Sequence, residues 1–578
     1  MTCFPHRLIV AKHLVSLLLG LLAAHVAAAS PSADTEENLR RQIERSDQQL
    51  QQLLPQADVL QAEARSDFST TLPQETPCFV INTIRFQGKH SEHFDWLLQQ
   101  AQVFLGQCVG KQGLRHLVAF LDAHLIQQGY ATTRSAMPPQ NLQDGNLIIS
   151  LHVGVIGEIR MLDADNNPPT IDQRWGTWHN AFPIEPGAIL NIRDLEQGVE
   201  QMNRLASQNV TTKIVPGKAA DHSNIIILRH HEKFAKRLRG TVGLDNSGSS
   251  NLGRTWGSAS LTLDNPLGIN DNINLAINSN TENLQRDRRS QSLAVAYSVP
   301  QGKHTLSFSY NYNTFAQAAA NTFRPVVYNG ESDSGELKLI RTLRRSASSK
   351  SAAFIALSIR HSNNRINSID LNSLRRRTTN LDWGFTHMQH LPTGKFEAQI
   401  SYRHGLDWFN AQKDYPPNLY QGLTLRPDIL RASVSYTQPL YWGKQKMQYE
   451  LKLRAQYTQQ TTTALDQIAI GSRYSVRGFD GDQVLLAENG YVLRNEWQIP
   501  VSWFSPLSTT AFIGLDWGQV WGPSAKNLVG RRLVGFALGL RSRVKKLLID
   551  FTLATPLDKP ALFNTTSINP YIALLYNF

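Results

Sequence analysis

From about residue 236 to the C-terminus, apolar and polar positions alternate with a period of two. In 272–278, Ile273, Leu275 and Ile277 alternate with Asn272, Asn274, Ala276 and Asn278; in 305–313, Leu306, Phe308, Tyr310 and Tyr312 alternate with Thr305, Ser307, Ser309, Asn311 and Asn313. One face of each segment is greasy and the other wet, as in a strand between two unlike solvents. Sixteen segments follow this rule: 237–245, 256–264, 272–278, 291–299, 304–313, 334–343, 351–360, 380–388, 395–404, 430–438, 446–457, 490–499, 510–518, 532–541, 546–554 and 570–578. Connections after odd segments hold 10 to 32 residues, and those after even segments 4 to 10. An even strand number with long loops on one side and short turns on the other predicts a transmembrane antiparallel β-barrel of 16 strands. A soluble sandwich would have to turn its greasy residues outward on every strand. Ile572, Leu574, Tyr576 and Phe578 share one face of the last segment, so Tyr576 and Phe578 are expected on the strand that closes the barrel.

Upstream the period changes. Residues 78 to 232 contain a repeat, because shifting Leu114, Val118 and Leu121 by 81 positions places them on Leu195, Val199 and Met202. Two helices thus show the same inward face. Each copy opens with a strand-like run, Val80 to Phe86 and Gly157 to Leu162. Each adds two further strand candidates after its helix, at 130–137 and 146–153 and at 209–215 and 224–230. Two small α+β modules are predicted, with exposed sheet edges able to accept an extended peptide. Ahead of them, residues 34 to 66 read as one helix whose narrow stripe is Leu39, Ile43, Leu50 and Leu54. Its wide charged face suits a wet surrounding, either as a movable plug or as a solvated arm. Residues 67–77 form a polar, Pro-containing tether.

The first 29 residues set the compartment. Basic residues up to Lys12, an apolar stretch from Leu14 to Ala24 and Ala27-Ala28-Ala29 have the order of a cleavable secretory signal. Cys3 leaves with this leader, so Cys78 and Cys108 are expected to form a disulfide in the exported chain. Composition then narrows the function. The net charge of +12 falls only to +10 without Arg7 and Lys12, and 41% hydrophobic residues exclude a disordered chain. The arginines are scattered over lumen faces and loops (Arg286, Arg288, Arg289, Arg375, Arg376, Arg377), which fits contact with anionic lipopolysaccharide or water better than nucleic acid. Catalytic residues, a metal site and a cofactor are not expected. His230-His231-Glu232 lacks the two-histidine helical spacing of a zinc protease, and the Gly-Lys dipeptides lack the upstream glycine of a phosphate loop.

The lumen does hold one polar feature. Strand 13 reads Ala511 to Gly518, and parity puts Ala511, Ile513, Leu515 and Trp517 toward lipid, so Phe512, Gly514, Asp516 and Gly518 face inward. The connection at 458–489 is the longest, and a loop of that length can fold back inside. It carries Val476-Arg477-Gly478-Phe479. A guanidinium can hold a carboxylate through two parallel hydrogen bonds, so Arg477 is the expected partner of Asp516.

Four stretches carry a resemblance: GLRHLVAFLDAHLIQQGYATTRSAMPPQ, ILNIRDLEQGVEQMNRLASQ, VGLDNSGSSNLGR with LDNPLGIND, and SVRGFDGDQ. In that order they resemble the two-partner secretion transporters, the haemolysin or haemagglutinin activator and secretion proteins. The resemblance runs from about residue 34 to 578 and implies, after the signal peptide at 1–29, a plug helix at 30–66, joined by the linker at 67–77 to POTRA modules at 78–154 and 155–233 and an outer-membrane barrel at 234–578 with the 458–489 loop folded inward. It also implies a loop-to-barrel lock of Arg477 with Asp516, supported by Gly478 and Phe479. The expected place is the outer membrane of a Gram-negative bacterium, with the POTRA modules in the periplasm. The expected partners are a secreted exoprotein with an N-terminal secretion domain, outer-membrane lipid and lipopolysaccharide, and periplasmic chaperones and the barrel-assembly machinery during biogenesis. The expected function is ATP-independent export of that exoprotein. The alternative within the same superfamily is a barrel-assembly insertase.

Overall fold

The computed structural model describes Arg40, Asp58, Leu60 and residues 69–578, apart from 164, 166, 169–176, 232–233, 251, 283–287, 319–325, 368, 417–421 and 502–506. The leader and the stripe residues Leu39, Ile43, Leu50 and Leu54 lie outside the described residues.

The first α+β module has a three-stranded sheet in which Asn146–His152 lies between Thr83–Gln87, parallel to it, and Arg134–Ala136, antiparallel. The helix Lys111–Gln127 buries Leu117, Leu121 and Leu125 against this sheet and against Phe94, Leu97 and Phe104. The expected single strand from Val80 to Phe86 is two pieces: Phe79–Val80 pairs with Cys108–Val109, and only Thr83–Gln87 enters the sheet. The break follows from the disulfide between Cys78 and Cys108, whose Cα atoms are 5.3 Å apart and which ties the start of the run to a different partner. The second module repeats the plan. His222–His231 is central, Val155–Leu162 runs parallel to it, Gln208–Pro216 runs antiparallel, and the helix Ile192–Asn203 covers one face. Asn191 caps that helix by accepting the Arg193 amide, which satisfies one of its free N–H groups.

Sixteen strands then close a barrel. They are β1 (Leu238–Asp245), β2 (Trp256–Asp264), β3 (Asn272–Asn280), β4 (Arg288–Gln301), β5 (His304–Ala318), β6 (Val327–Arg345), β7 (Ser349–Ile366), β8 (Arg376–Leu391), β9 (Gly394–Leu406), β10 (Asp428–Trp442), β11 (Gln445–Tyr457), β12 (Asn489–Val501), β13 (Ser508–Trp521), β14 (Arg532–Val544), β15 (Leu547–Asp558) and β16 (Asn569–Asn577). Each matches one alternating segment of the sequence. Several run longer than the alternation suggests: β6 has 19 residues and β7 has 18, whereas about 9–11 tilted residues cross a bilayer. The surplus lies partly where both faces meet water, so alternation fades while the backbone ladder continues. Closure pairs β16 with β1, from Ala573 opposite Asp245 to Asn577 opposite Thr241, and the Phe578 and Gly240 backbones bond each other. The ladder thereby closes on itself without a free edge among the described strands.

The second module sits against the short turns. The Asn180 side-chain amide donates to the carbonyls of Ile269, at the β2–β3 turn, and Pro300, before the β4–β5 turn, at 2.5 and 3.0 Å. Glu200, nearly buried, takes Arg345 at 2.8 Å and also Lys350, beside the β6–β7 turn, while Lys303 reaches Asp194 at 2.8 Å. The modules and the short turns therefore share one side, and the long connections lie on the other.

Candidate functional site

The connection between β11 and β12 folds into the barrel and acquires structure there. Ile468–Ile470 and Leu485–Ala487 form a short antiparallel ladder, and Thr461–Thr462 pairs with Leu423–Thr424. An apolar cluster of Ile470, Val476, Phe479, Leu485, Val520, Leu533 and Phe563 glues the loop to the inner face of β13 and β14. Phe479 is fully buried, edge-on to Phe563 with ring centroids 5.5 Å apart.

The wall is built to admit this loop. Residues 512, 514, 516 and 518 of β13 face inward and are buried, while Ile513, Leu515 and Trp517 are exposed on the outside. A Cβ on Gly535 of β14 would stand 1.6 Å from the Arg477 carbonyl oxygen, and one on Gly514 would stand 2.3 Å from the Arg477 guanidinium. Only glycine leaves that space. Gly478 itself has φ +112°, a backbone conformation that side chains disfavour, and a Cβ there would meet the Thr555 carbonyl oxygen at 2.5 Å.

Arg477 and Asp516 are brought together at the centre of this seat. Arg477 donates through Nε and Nη2 to the two Asp516 carboxylate oxygens, both at 2.7 Å, and its backbone N–H donates to Asp516 at 2.9 Å. Its Nη1 donates to Glu496 on β12 at 2.5 Å. Side-chain exposure is 4% for Arg477 and 0% for Asp516, so the charges are balanced by each other and not by water. Glu496 also accepts from Arg541 of β14, which reaches Asp550 of β15 at 3.0 Å. Next along the loop, the Gly478 amide donates to the Tyr571 hydroxyl at 3.1 Å, Tyr571 donates to the Phe479 carbonyl at 2.7 Å, and Asn569 donates to the Gly478 carbonyl at 2.8 Å. Arg477, Gly478 and Phe479 thus touch five consecutive strands, β12 to β16, if Thr555 is counted.

Glu496, Arg541, Asn569 and Tyr571 complete the hub, and sequence reasoning passed over them. A signal existed for Glu496, because it shares a face with Arg494 opposite the outward Leu493 and Trp497. The loop has a second hold near its root: Arg403 of β9 donates to Asp382 of β8 through Nε and Nη2, both at 3.0 Å, and through Nη1 to Asp466 of the loop at 3.1 Å.

Two residues of the N-terminal segment lie at opposite ends of the barrel. Arg40 lines a pocket with Asn246, Arg473, Asp480 and Tyr571 on the long-loop side. Asp58 lies 2.8 Å from His390 Nε2 and 3.1 Å from Lys395 Nζ at the β8–β9 turn, on the module side. Burial would raise the Asp58 carboxyl, but the hydrogen bonds from His390 and Lys395 outweigh it and hold the group below its ordinary value. Tyr576 and Phe578 are half-exposed on the outer face of β16, beside the seam with β1.

Residues 221–542 match the family described as haemolysin secretion/activation protein ShlB/FhaC/HecB. Residues 79–154 match a ShlB-type POTRA domain and residues 156–216 a POTRA domain. Among similar proteins, the outer membrane transporter CdiB-2 of Burkholderia pseudomallei is 32% identical over 574 residues, covering 95% of each chain. The hemolysin transporter protein ShlB of Serratia marcescens is 25% identical, covering 93% of this chain and 94% of that one. In fold, the chain resembles CdiB from Acinetobacter baumannii, with TM-score 0.81 and 24% identity over 95% of this chain and 99% of the other. It likewise resembles CdiB from Escherichia coli, with TM-score 0.78 and 24% identity over 95% and 100%.

Proposed function

The chain belongs to the haemolysin secretion/activation protein family ShlB/FhaC/HecB, and on that footing we propose that it captures one dedicated exoprotein on its POTRA modules and passes it unfolded to the cell surface without ATP. The family is one of outer-membrane transporters and not of enzymes, and the barrel with its POTRA modules fits the outer membrane with the modules in the periplasm.

The observation that carries the proposal is a lumen crossed by a loop whose centre a buried polar hub holds, beside an apolar cluster and the Arg403–Asp466 pair. A pore for an unfolded chain must be shut to small solutes at rest and clear on demand. The Arg477–Asp516–Glu496 hub meets both needs, because a few charge-assisted bonds exchange more readily for others than a packed domain does. The N-terminal segment is the second obstruction. Arg40 at the outer pocket and Asp58 at the β8–β9 turn bracket 18 positions of the expected plug helix, which would span about 27 Å. The stripe Leu39, Ile43, Leu50 and Leu54 would be its narrow apolar face.

Cargo capture falls to the free sheet edges. Thr83–Gln87 and Arg134–Ala136 edge the first sheet, and Val155–Leu162 and Gln208–Pro216 edge the second, with Ile214 exposed on the last. An extended secretion domain at the N-terminus of the exoprotein would add as a strand there. With no nucleotide in the periplasm, folding of the cargo outside would draw it forward. Lipid and lipopolysaccharide would contact the outer face, and periplasmic chaperones and the barrel-assembly machinery would insert it.

The test is export of the cognate exoprotein into the medium, with the full chain and with residues 78–233 deleted. Export should stop in the deletion while the barrel still inserts. Unchanged export would refute the proposal, and loss of other barrel proteins from the membrane in place of exoprotein export would identify an insertase.

A further inference from the structure

Away from the barrel, the first POTRA module gathers three metal-competent side chains. Edge strand Thr83–Gln87 ends at Gly88, and His90 then adopts a left-handed backbone with φ 65°. That bend turns the short 3-10 segment Ser91–Phe94 so that His90, Glu92 and His93 converge. Their ligand atoms all lie within 4.8 Å of one another.

The spacing within the cluster is informative. The same Glu92 oxygen, Oε1, is 3.5 Å from His93 Nδ1 and 3.9 Å from His90 Nδ1. Those separations are too long for good hydrogen bonds, which peak at about 2.9–3.0 Å. Bonds of about 2.0–2.2 Å put neighbouring ligands of a tetrahedral ion roughly 3.3–3.6 Å apart, so the 3.5 Å separation already fits and the 3.9 Å one needs a small inward rotation of these surface side chains. Among the described residues neither imidazole makes a side-chain hydrogen bond. Two imidazoles and a carboxylate are the donor set that zinc, copper and nickel ions accept, whereas calcium and magnesium want oxygen alone.

We propose that His90, Glu92 and His93 bind one divalent transition-metal ion of the zinc class through three protein ligands, leaving a fourth position open. The pattern H-x-E-H sets the two histidines three residues apart, the period of the 3-10 turn that they share, and the left-handed backbone of His90 opens that turn. The proposal does not depend on the transport reading. The site nevertheless stands next to the end of the Thr83–Gln87 edge, where an ion with an open position could take a side chain of an added strand.

Full-length protein in detergent, titrated with zinc chloride by calorimetry and with cobalt chloride by visible absorption, tests the site. One equivalent of zinc should bind, with a tetrahedral cobalt spectrum and no comparable response to calcium. Loss of an outer partner of a metal ligand already weakens sites by about 10-fold or more. His93→Ala, and separately the isosteric Glu92→Gln, should therefore weaken binding at least that far while metal-free melting stays unchanged. Absence of zinc binding would overturn the proposal. So would an affinity that survives the double change His90→Ala and His93→Ala, because the ion would then sit at another histidine such as His404 beside Asp428.

Discussion

The two halves of the lumen wall are built on different chemistry. From β12 to β16 the inner face carries Glu496, Asp516, Arg541 and Asp550 together with Gly514, Gly518 and Gly535, and the inward loop is seated on it. From β3 to β5 the inner face is mostly uncharged, with Asn274, Asn278, Ser292 and Asn313 buried there, and charge returns at its borders with buried Asp264 on β2 and with Glu336 and Lys338 on β6. The bonds of the uncharged residues run sideways within the sheet, as from Thr262 to Asn274 at 2.7 Å and from Asn278 to Ser292 at 3.0 Å. One wall seats the loop with buried charge, and the other presents mainly amide and hydroxyl groups. The difference teaches that the loop seats where buried charge and wall glycines together allow backbone contact.

Changes on the gripping wall should break this contrast most. Asp516→Ala strips Arg477 of three hydrogen bonds and leaves it buried without its main counter-charge, a class of change that costs about 3–5 kcal/mol. The expected result is a barrel that folds but conducts at rest in planar bilayers and exports cargo more slowly. Gly535→Ala should act almost as strongly, because the added Cβ meets the Arg477 backbone oxygen at 1.6 Å and neither backbone can yield. Protease cleavage near residues 471–485 in intact cells would report the displaced loop, and a loop still protected would contradict the seating. Glu496→Gln keeps the shape and removes one charge shared by Arg477 and Arg541, worth about 1.5–3 kcal/mol for bonds to a charged group. Intermittent rather than continuous opening is expected in single-channel records.

On the opposite wall, Asn278→Ala removes its hydrogen bond to Ser292, worth about 1 kcal/mol. Resting conductance should match the unaltered protein, and a leak as large as that of Asp516→Ala would erase the distinction between the walls. The smallest effect concerns Asp58. Because its carboxyl is held below the ordinary 3.8, its contact with His390 and Lys395 stabilises the resting arrangement above that value and is lost as pH falls through the lowered one. Conductance should therefore be flat from neutral pH down to that range and rise only below it. Asp58→Asn should remove this acid step.

Alternation along the chain made the strands legible, and parity alone turned Asp516 inward and Trp517 outward. Glycine contacts were not legible, since Gly514 and Gly535 look like ordinary strand glycines until a loop arrives against them. Asn569 and Tyr571 were hidden for a related reason: about ninety residues separate them from Gly478, and nothing local marks the meeting. The apolar spacing of Leu39, Ile43, Leu50 and Leu54 predicts a stripe but not what it faces, and those residues lie outside the described ones.

Period-two hydrophobicity, turn lengths and two cysteines determined a sixteen-strand barrel behind two repeated modules, because burial in lipid and backbone pairing act on every residue in turn and leave a local trace. The contacts of the loop beyond the Arg477–Asp516 pair, the break after Val80 and the convergence of His90 with His93 were decided only in three dimensions. Register across the closed sheet and the left-handed turn bring together groups whose attraction acts over a few ångströms, and separation along the chain carries no record of it.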